Sequence, residues 1–264
     1  HTLRYNRMKW VSIHGLAKHW KEARVEAEHL GRNQFRVKTE NVTKLMLGKF
    51  NAPNQHSSPY NIIIDNQELI TKPGRHTALM FLRSGKRWEI VKSFAQNNLA
   101  KTPGLQGPID DAFLRRFVFV VPNTDPINKT IGDWVQREMK DAISQWHRQF
   151  RGNVIVKYPK DLTDLDWDSN LILWGDPKSN PLIAKMSDQL PIEWTEKGIR
   201  IKDKTWPSNR FVPVFVYPNP VNPRRYIVIN SGFTFSEFGH MSNSMQNAKL
   251  PDYAVLDMRV PIAE

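Results

Sequence analysis

The sequence predicts an α/β protein: a doubly wound, mostly parallel sheet with Rossmann-like or flavodoxin-like layers, preceded by a small β-rich segment with one helix. Three observations predict it. Residues 117–121, 154–156, 171–174, 214–217, 226–229 and 253–256 are short unbroken apolar runs, the pattern of strands covered on both faces. Between the first two runs lies an amphipathic stretch with Ile131, Trp134, Val135, Met139, Ala142, Ile143, Trp146 and Phe150 on one face and Asp133, Gln136, Arg137, Lys140, Gln145 and Arg148 on the other. Buried strands alternating with amphipathic helices build a parallel sheet. Residues 93–111, SFAQNNLAKTPGLQGPIDD, are rich in Asn, Gly and Pro and hold no period, which places a boundary there and divides the chain into residues 1–95 and 96–264.

In the first segment, Leu16, Trp20, Ala23, Ala27 and Leu30 recur at steps of four and three up to Gly31, which predicts a helix. Phe35, Val37 and Thr39 alternate with polar residues, and so do the residues from Val42 to Leu47. The run 62–64 ends at Asp65-Asn66, and two apolar runs flank Ser84-Gly85-Lys86 as in a hairpin. In the second segment Pro213, Pro218, Pro220 and Pro223 bracket two strands, so one of them runs at an edge or the pair turns as a hairpin through residues 219–222.

Composition narrows the function. At 264 residues, 40% hydrophobic and 24% charged, the chain has material for one large core or two modest ones. No window reaches the roughly 18 apolar residues of a membrane helix. Cysteine is absent, which excludes disulfides, thiolate metal sites and a cysteine nucleophile. The net charge of +12 is dispersed, with Arg115-Arg116 and Arg224-Arg225 as its tightest groups, so an acidic partner or polymer is expected rather than a specific nucleic acid. The chain starts at His1 with no basic-then-apolar leader.

The candidate sites are loops. In NLILWGDPKSNPLIAKM a strand ends at Gly175 and a helix starts at Asn180-Pro181, so free N–H groups there could face a ligand. The dinucleotide pattern G-x-G-x-x-G and the Walker pattern are both missing, and no cofactor is expected. In YIVINSGFTFSEFGH, Ser231 stands at a strand end, but its Ile-Asn-Ser-Gly-Phe setting lacks the paired glycines of a nucleophile elbow, and His240 precedes Asp252 and Asp257 instead of following them. The ligand-facing set is therefore Asn123, Gly175, Asp176, Ser179, Asn180, Ser231 and Gly232, with no catalytic residue assigned. The eight histidines lack metal-ligand spacing; Asp161, Asp164, Asp166 and Asp168 lack the calcium-loop pattern and read as a solvated turn, and Asp110-Asp111 read as the cap of a short helix.

The stretches LQGPIDDAFLRRFVFVVPN, NLILWGDPKSNPLIAKMSDQLPIEW and YPNPVNPRRYIVINSG resemble the C-terminal, post-catalytic region of bacterial prolyl-oligopeptidase-like proteins, exported α/β-hydrolases. RYNRMKWVSIHGLAKHWKEARVEAE and VKTENVTKLML are similar to the part that follows the hydrolase domain in that family. The resemblance implies a non-catalytic accessory module of a peptidase or esterase, with an upstream hydrolase domain of the same polypeptide as partner and an exported location. A free-standing enzyme with its site at the carboxyl edge of the sheet is the alternative. So is a carbohydrate- or polyanion-binding module using exposed tryptophans, although Trp20, Trp134 and Trp146 are expected in the core.

Overall fold

The computed structural model describes residues 1–48, 59–71, 78–94, 100–234 and 250–260. The chain divides into two compact units, His1–Gln106 and Gly107–Glu264.

Among the described residues unit 1 has nine strands: β1 (Arg7–Met8), β2 (Val11–Leu16), β3 (Arg24–Gly31), β4 (Gln34–Glu40), β5 (Val42–Gly48), β6 (Asn61–Ile64), β7 (Gln67–Ile70), β8 (Ala78–Ser84) and β9 (Arg87–Val91). They form a five-stranded sheet, β1-β2-β5-β8-β9, and a four-stranded sheet, β3-β4-β6-β7, in which only β4 and β6 pair in parallel. One core joins the two sheets: Phe35, Val37, Ile62 and Ile64 come from the smaller and Val42, Leu45, Leu47, Leu79, Phe81 and Trp88 from the larger. Asp65, in the turn after β6, takes the backbone N–H and hydroxyl of Thr39 at 2.7 Å each and the indole N–H of Trp88 at 3.0 Å. The Gln67 side chain donates to Trp88 O and accepts from Trp88 N, both at 2.7 Å, tying the smaller sheet to the larger.

The helix expected from Leu16 to Leu30 does not exist. The segment RVEAEHLG is β3, paired antiparallel with β4 from Arg24 opposite Glu40 to Gly31 opposite Gln34. Its alternation of Arg24, Glu26 and Glu28 against Val25 and Ala27, which pack on the core, outweighs the helical spacing. Gly31, Arg32 and Asn33 all take positive φ and turn the chain back. Trp20, expected in the core, sits at a positive-φ turn and is 55% exposed.

Unit 2 centres on a six-stranded sheet of order β11-β10-β12-β17-β16-β18. Its strands are β10 (Phe117–Val120), β11 (Val156–Lys157), β12 (Asn170–Leu173), β16 (Phe211–Pro218), β17 (Tyr226–Ile229) and β18 (Tyr253–Asp257). A separate three-stranded meander comprises β13 (Glu193–Thr195), β14 (Gly198–Ile201) and β15 (Lys204–Trp206). The helices are α1 (Lys129–Phe150), α2 (Asp164–Trp167) and α3 (Pro181–Met186).

The doubly wound parallel fold is overturned. The chain is mostly β, with about 40% of residues in strands and 20% in helices, arranged in four small mixed or antiparallel sheets. β11, β10, β12 and β17 run parallel, whereas β16 is antiparallel to both β17 and β18. The reason lies in the connections: β16 and β17 form a hairpin, and the meander stands where a second crossover helix would be. Among the described residues only α1 is long, and α2 and α3 have four and six residues.

Strand alternation still gives the sheet two apolar faces. Val118, Val120, Leu171, Leu173, Ile227 and Ile229 pack with Leu182, Ile183 and Met186 of α3 and with Trp194 and Ile199 of the meander. On the other face Phe117 meets Trp146 of α1 edge to face, with ring centres 4.6 Å apart. α1 starts at an Asn128 cap, whose side chain accepts from Ile131 N, and buries Ile131, Val135, Met139 and Ala142. Among the described residues no helix is long and apolar enough to cross a membrane.

Candidate functional site

Parallel strands deliver their following loops to one edge, so the loops after β10, β12 and β17 emerge together. Asn123 N donates to Ser179 O at 3.0 Å, joining the first two. The Asn230 side chain accepts from Gly175 N and donates to Gly175 O, both at 2.8 Å, joining the second and third. Asn123, Gly175, Asp176, Ser179, Asn180, Ser231 and Gly232 thus gather at the carboxyl edge.

These loops spend their polar groups on each other. Asp176 Oδ1 takes Lys178 N at 2.9 Å and Ser179 N at 2.8 Å, while Oδ2 reaches across to Ile127 N at 2.9 Å. Ser179 Oγ accepts from Asp176 N at 2.8 Å. Asn180 caps α3 by accepting from Leu182 N, and its amide donates to Val120 O and Trp174 O. Asp176, Ser179, Asn180 and Asn230 are all buried, and the N–H groups of Gly175, Asp176, Lys178, Ser179, Asn180 and Leu182 are already hydrogen-bonded within the loops. Gly175 has φ +113°, and a Cβ there would fall 2.5 Å from Ser179 Oγ, so the closed turn admits only glycine. Asn123 remains exposed.

Ser231 does not stand on an elbow. It is 6% exposed and its hydroxyl donates to Gly232 O at 2.9 Å; among the described residues no histidine bonds to it, and His240 lies outside them. Gly232 has a packing role: a Cβ there would come within 2.5 Å of Ala142 Cβ on α1. From it the chain runs back along α1, placing Phe233 against Trp146 and Phe150 and Thr234 against Asp110.

Of the aspartates expected as caps or solvated turns, Asp161, Asp164 and Asp168 are exposed as expected, whereas Asp110, Asp111 and Asp166 are buried structural locks. Asp110 accepts from Thr234 N and Oγ1, and Asp111 accepts from the Tyr226 hydroxyl, which itself accepts from Gly107 N; no side chain caps the 3-10 helix Ile109–Leu114. Burial, with the Asp111 charge adding to it, raises the Tyr226 hydroxyl above its ordinary value. Asp166 is closed off from solvent, not solvated: it pairs with Lys157 at 2.6 Å and Arg116 at 2.9 Å and accepts from Thr163 N and Oγ1. Burial pushes its carboxyl up, but hydrogen bonds from Lys157, Thr163 and Arg116 together prevail and hold it well below the usual range. Among the described residues no group of three metal-ligating side chains occurs.

An open concavity lies elsewhere, at the amino edge of the parallel strands. There the end of α1, the start of β10 and the segment leading into β11 enclose a groove of about 430 Å³ walled by Phe113, Phe117, Trp146, Phe150 and Phe233, with Arg115 and Asn153 also lining it. The sequence expectation puts Trp146 in the core, with Phe150 on the same α1 stripe. The signal it left unused was the density of aromatics near Arg115, which are scattered along the chain and come together only when residues 231–234 return along α1.

No family model matches the chain, and no curated protein or solved structure is significantly similar to it. The site is therefore read from its geometry.

Proposed function

We propose that this chain is a non-catalytic accessory module of an exported serine hydrolase of the peptidase or esterase class, packing on or gating its catalytic domain. The observation that carries the reading is the closed carboxyl edge. In a sheet with parallel strands that edge is the usual place for chemistry. Here Asp176, Asn180 and Asn230 fill it with internal hydrogen bonds, and Ser231 bonds to the neighbouring carbonyl. A serine needs a base within hydrogen-bond reach to attack. The resemblance of 105–123, 170–194 and 217–232 to the region after the hydrolase domain supports the same reading. Of the nine tryptophans, all described, only Trp20 is exposed, which leaves little for a sugar-stacking platform.

The test uses the native source. An antibody to this chain should detect a longer polypeptide that reacts with a fluorophosphonate probe at a serine outside these 264 residues. A native protein of this length, labelled stoichiometrically at Ser231, would overturn the accessory reading in favour of a free-standing hydrolase.

A further inference from the structure

The groove at the amino edge has the composition of a binding site for one kind of molecule. We propose that it binds an apolar carboxylate: a ligand with an aromatic or branched aliphatic body that enters between the rings and an anionic end that pairs with Arg115.

The walls supply the apolar half. Phe117 and Trp146 stand edge to face at 82°, Trp146 and Phe233 at 80° with centres 5.6 Å apart, and Phe150 and Phe233 at 64° and 5.3 Å. Such arrays leave ring faces and edges for another apolar group to stack against. Phe150 is 49% exposed and Leu114 52%, although α1 has a polar face available for solvent; a large exposed apolar surface at a concavity marks a contact site. A volume of about 430 Å³ lies in the range of small-molecule sites.

Charge selects the sign. Neither aspartate nor glutamate lines the groove, whereas Arg115 and Arg116 both do. The two arginines differ in what they already hold. Arg116 is committed to Asp166, Ser169 and the Leu165 carbonyl. Among the described residues Arg115 has no carboxylate or hydrogen-bond partner, so its guanidinium fork is free to meet two oxygens at once. Asn153 and Trp146 also line the groove, and neither the Asn153 amide nor the Trp146 indole N–H has a hydrogen-bond partner among the described residues. Aromatic walls with unspent donors and no acceptor of like charge complement a carboxylate and disfavour an amine.

Two sources share this chemistry, a free acid and the C-terminal residue of a peptide. Hydrolysis of an ester or peptide bond releases such a carboxylate, so the groove would suit a product of the proposed parent reaction; that link alone rests on the accessory reading, and binding does not.

The experiment is saturation-transfer NMR and calorimetric titration on the full chain. Its probes are 4-phenylbutyrate, 4-phenylbutanol, and the tripeptide Ala-Ala-Phe with a free or amidated C-terminus. At least one acid should bind with a dissociation constant on the order of 1 mM or below. Its neutral counterpart should bind more weakly, and Arg115→Gln should reduce acid binding by about fivefold while leaving the neutral probe unchanged. Phe150→Ala, at an exposed ring, should weaken acid and neutral probe together. Tripeptide binding lost on amidation assigns a peptide terminus, and binding of phenylbutyrate alone assigns a free acid. Absence of binding by both acids, equal binding of acid and neutral probe, or undiminished binding by Arg115→Gln overturns the proposal. No hydrolase domain is needed, so this result is independent of the accessory reading.

Discussion

The two units solve the same problem, holding non-consecutive segments together with buried polar side chains, in different places. In unit 1 the clamps run between sheets: Asp65 joins Thr39 to Trp88, and Gln67 joins β7 to the Trp88 backbone. In unit 2 they run along one edge of a single sheet, through Asp176, Asn180 and Asn230. Buried polar groups stabilise only when satisfied. The difference teaches that a carboxyl edge can be used as structure, and the groove lined by Phe117, Trp146 and Phe233 lies at the opposite end of the same strands.

The sharpest way to break the comparison is Asp176→Ala, which strands three N–H groups and should cost about 3 kcal/mol. Hydrogen exchange resolved by unit should show protection lost in unit 2 and retained in unit 1; uniform loss would mean the units do not stabilise separately. Gly232→Val should cost about 2 kcal/mol by collision with Ala142, and Ala142→Gly should recover part of it. Denaturant midpoints of the single and double variants check this, and additive losses would refute the contact. In unit 1, Gln67→Ala removes both bonds to Trp88 and should cost about 1.5 kcal/mol, confined to that unit by the same exchange measurement.

Acid should separate the units without any mutation. His14, in β2, has its ring Nε2 enclosed without a hydrogen-bond partner, and burial together with the Lys44 charge lowers its pKa below 6.5. The folded form therefore holds fewer protons than the unfolded one, so unit 1 loses stability as pH falls through 6.5 toward the depressed value. Asp166 and Asp257 have lowered values instead, Asp166 against the pull of burial and Asp257 chiefly through Arg210, so their contribution to unit 2 is complete above 3.8 and fades only as pH falls below it. Protection factors, corrected for the intrinsic pH dependence of amide exchange, should fall in unit 1 first between about pH 7 and 4.5, and His14→Phe should reduce that difference. Smallest of all, Ser231→Ala removes one hydroxyl bond at a buried position and should lower stability by about 1 kcal/mol or less. The isolated wild-type chain should show no more fluorophosphonate labelling than Ser231→Ala does; stoichiometric labelling at Ser231 would make the edge catalytic.

Much of this architecture could be read in advance where the pattern was local. The hairpin about Ser84-Gly85, the alternation of Phe35 and Val37, and α1 from Ile131 onward all follow from period and turn chemistry. Strand direction could not be read, because a doubly covered run such as Val214 to Tyr217 looks the same in a parallel or antiparallel pair. The stripe from Leu16 to Leu30 misled because five small or spaced apolar residues satisfied a helical template, while Val25 and Ala27 satisfied a strand over the same stretch. At the candidate site, turn residues correctly announced the loop at Gly175. They could not announce that Asp176 and Asn230 would close it, since their partners, Ile127 and Gly175, are distant in sequence.

The strand order of the six-stranded sheet also bears on how the protein is made. Among the described residues every strand pairing of unit 1 lies within its own sequence, and four of the seven join strands adjacent in the chain, so that unit can close early during synthesis. β10, by contrast, is the first strand of its sheet to leave the ribosome, yet its neighbours β11 and β12 are made only after α1, and β17 later still. A nascent chain therefore carries the run Phe-Val-Phe-Val with no strand to pair it, the kind of segment that invites capture by another chain. A holding chaperone at that stage of translation, or rapid collapse of α1 onto it, is what the topology demands of the cell.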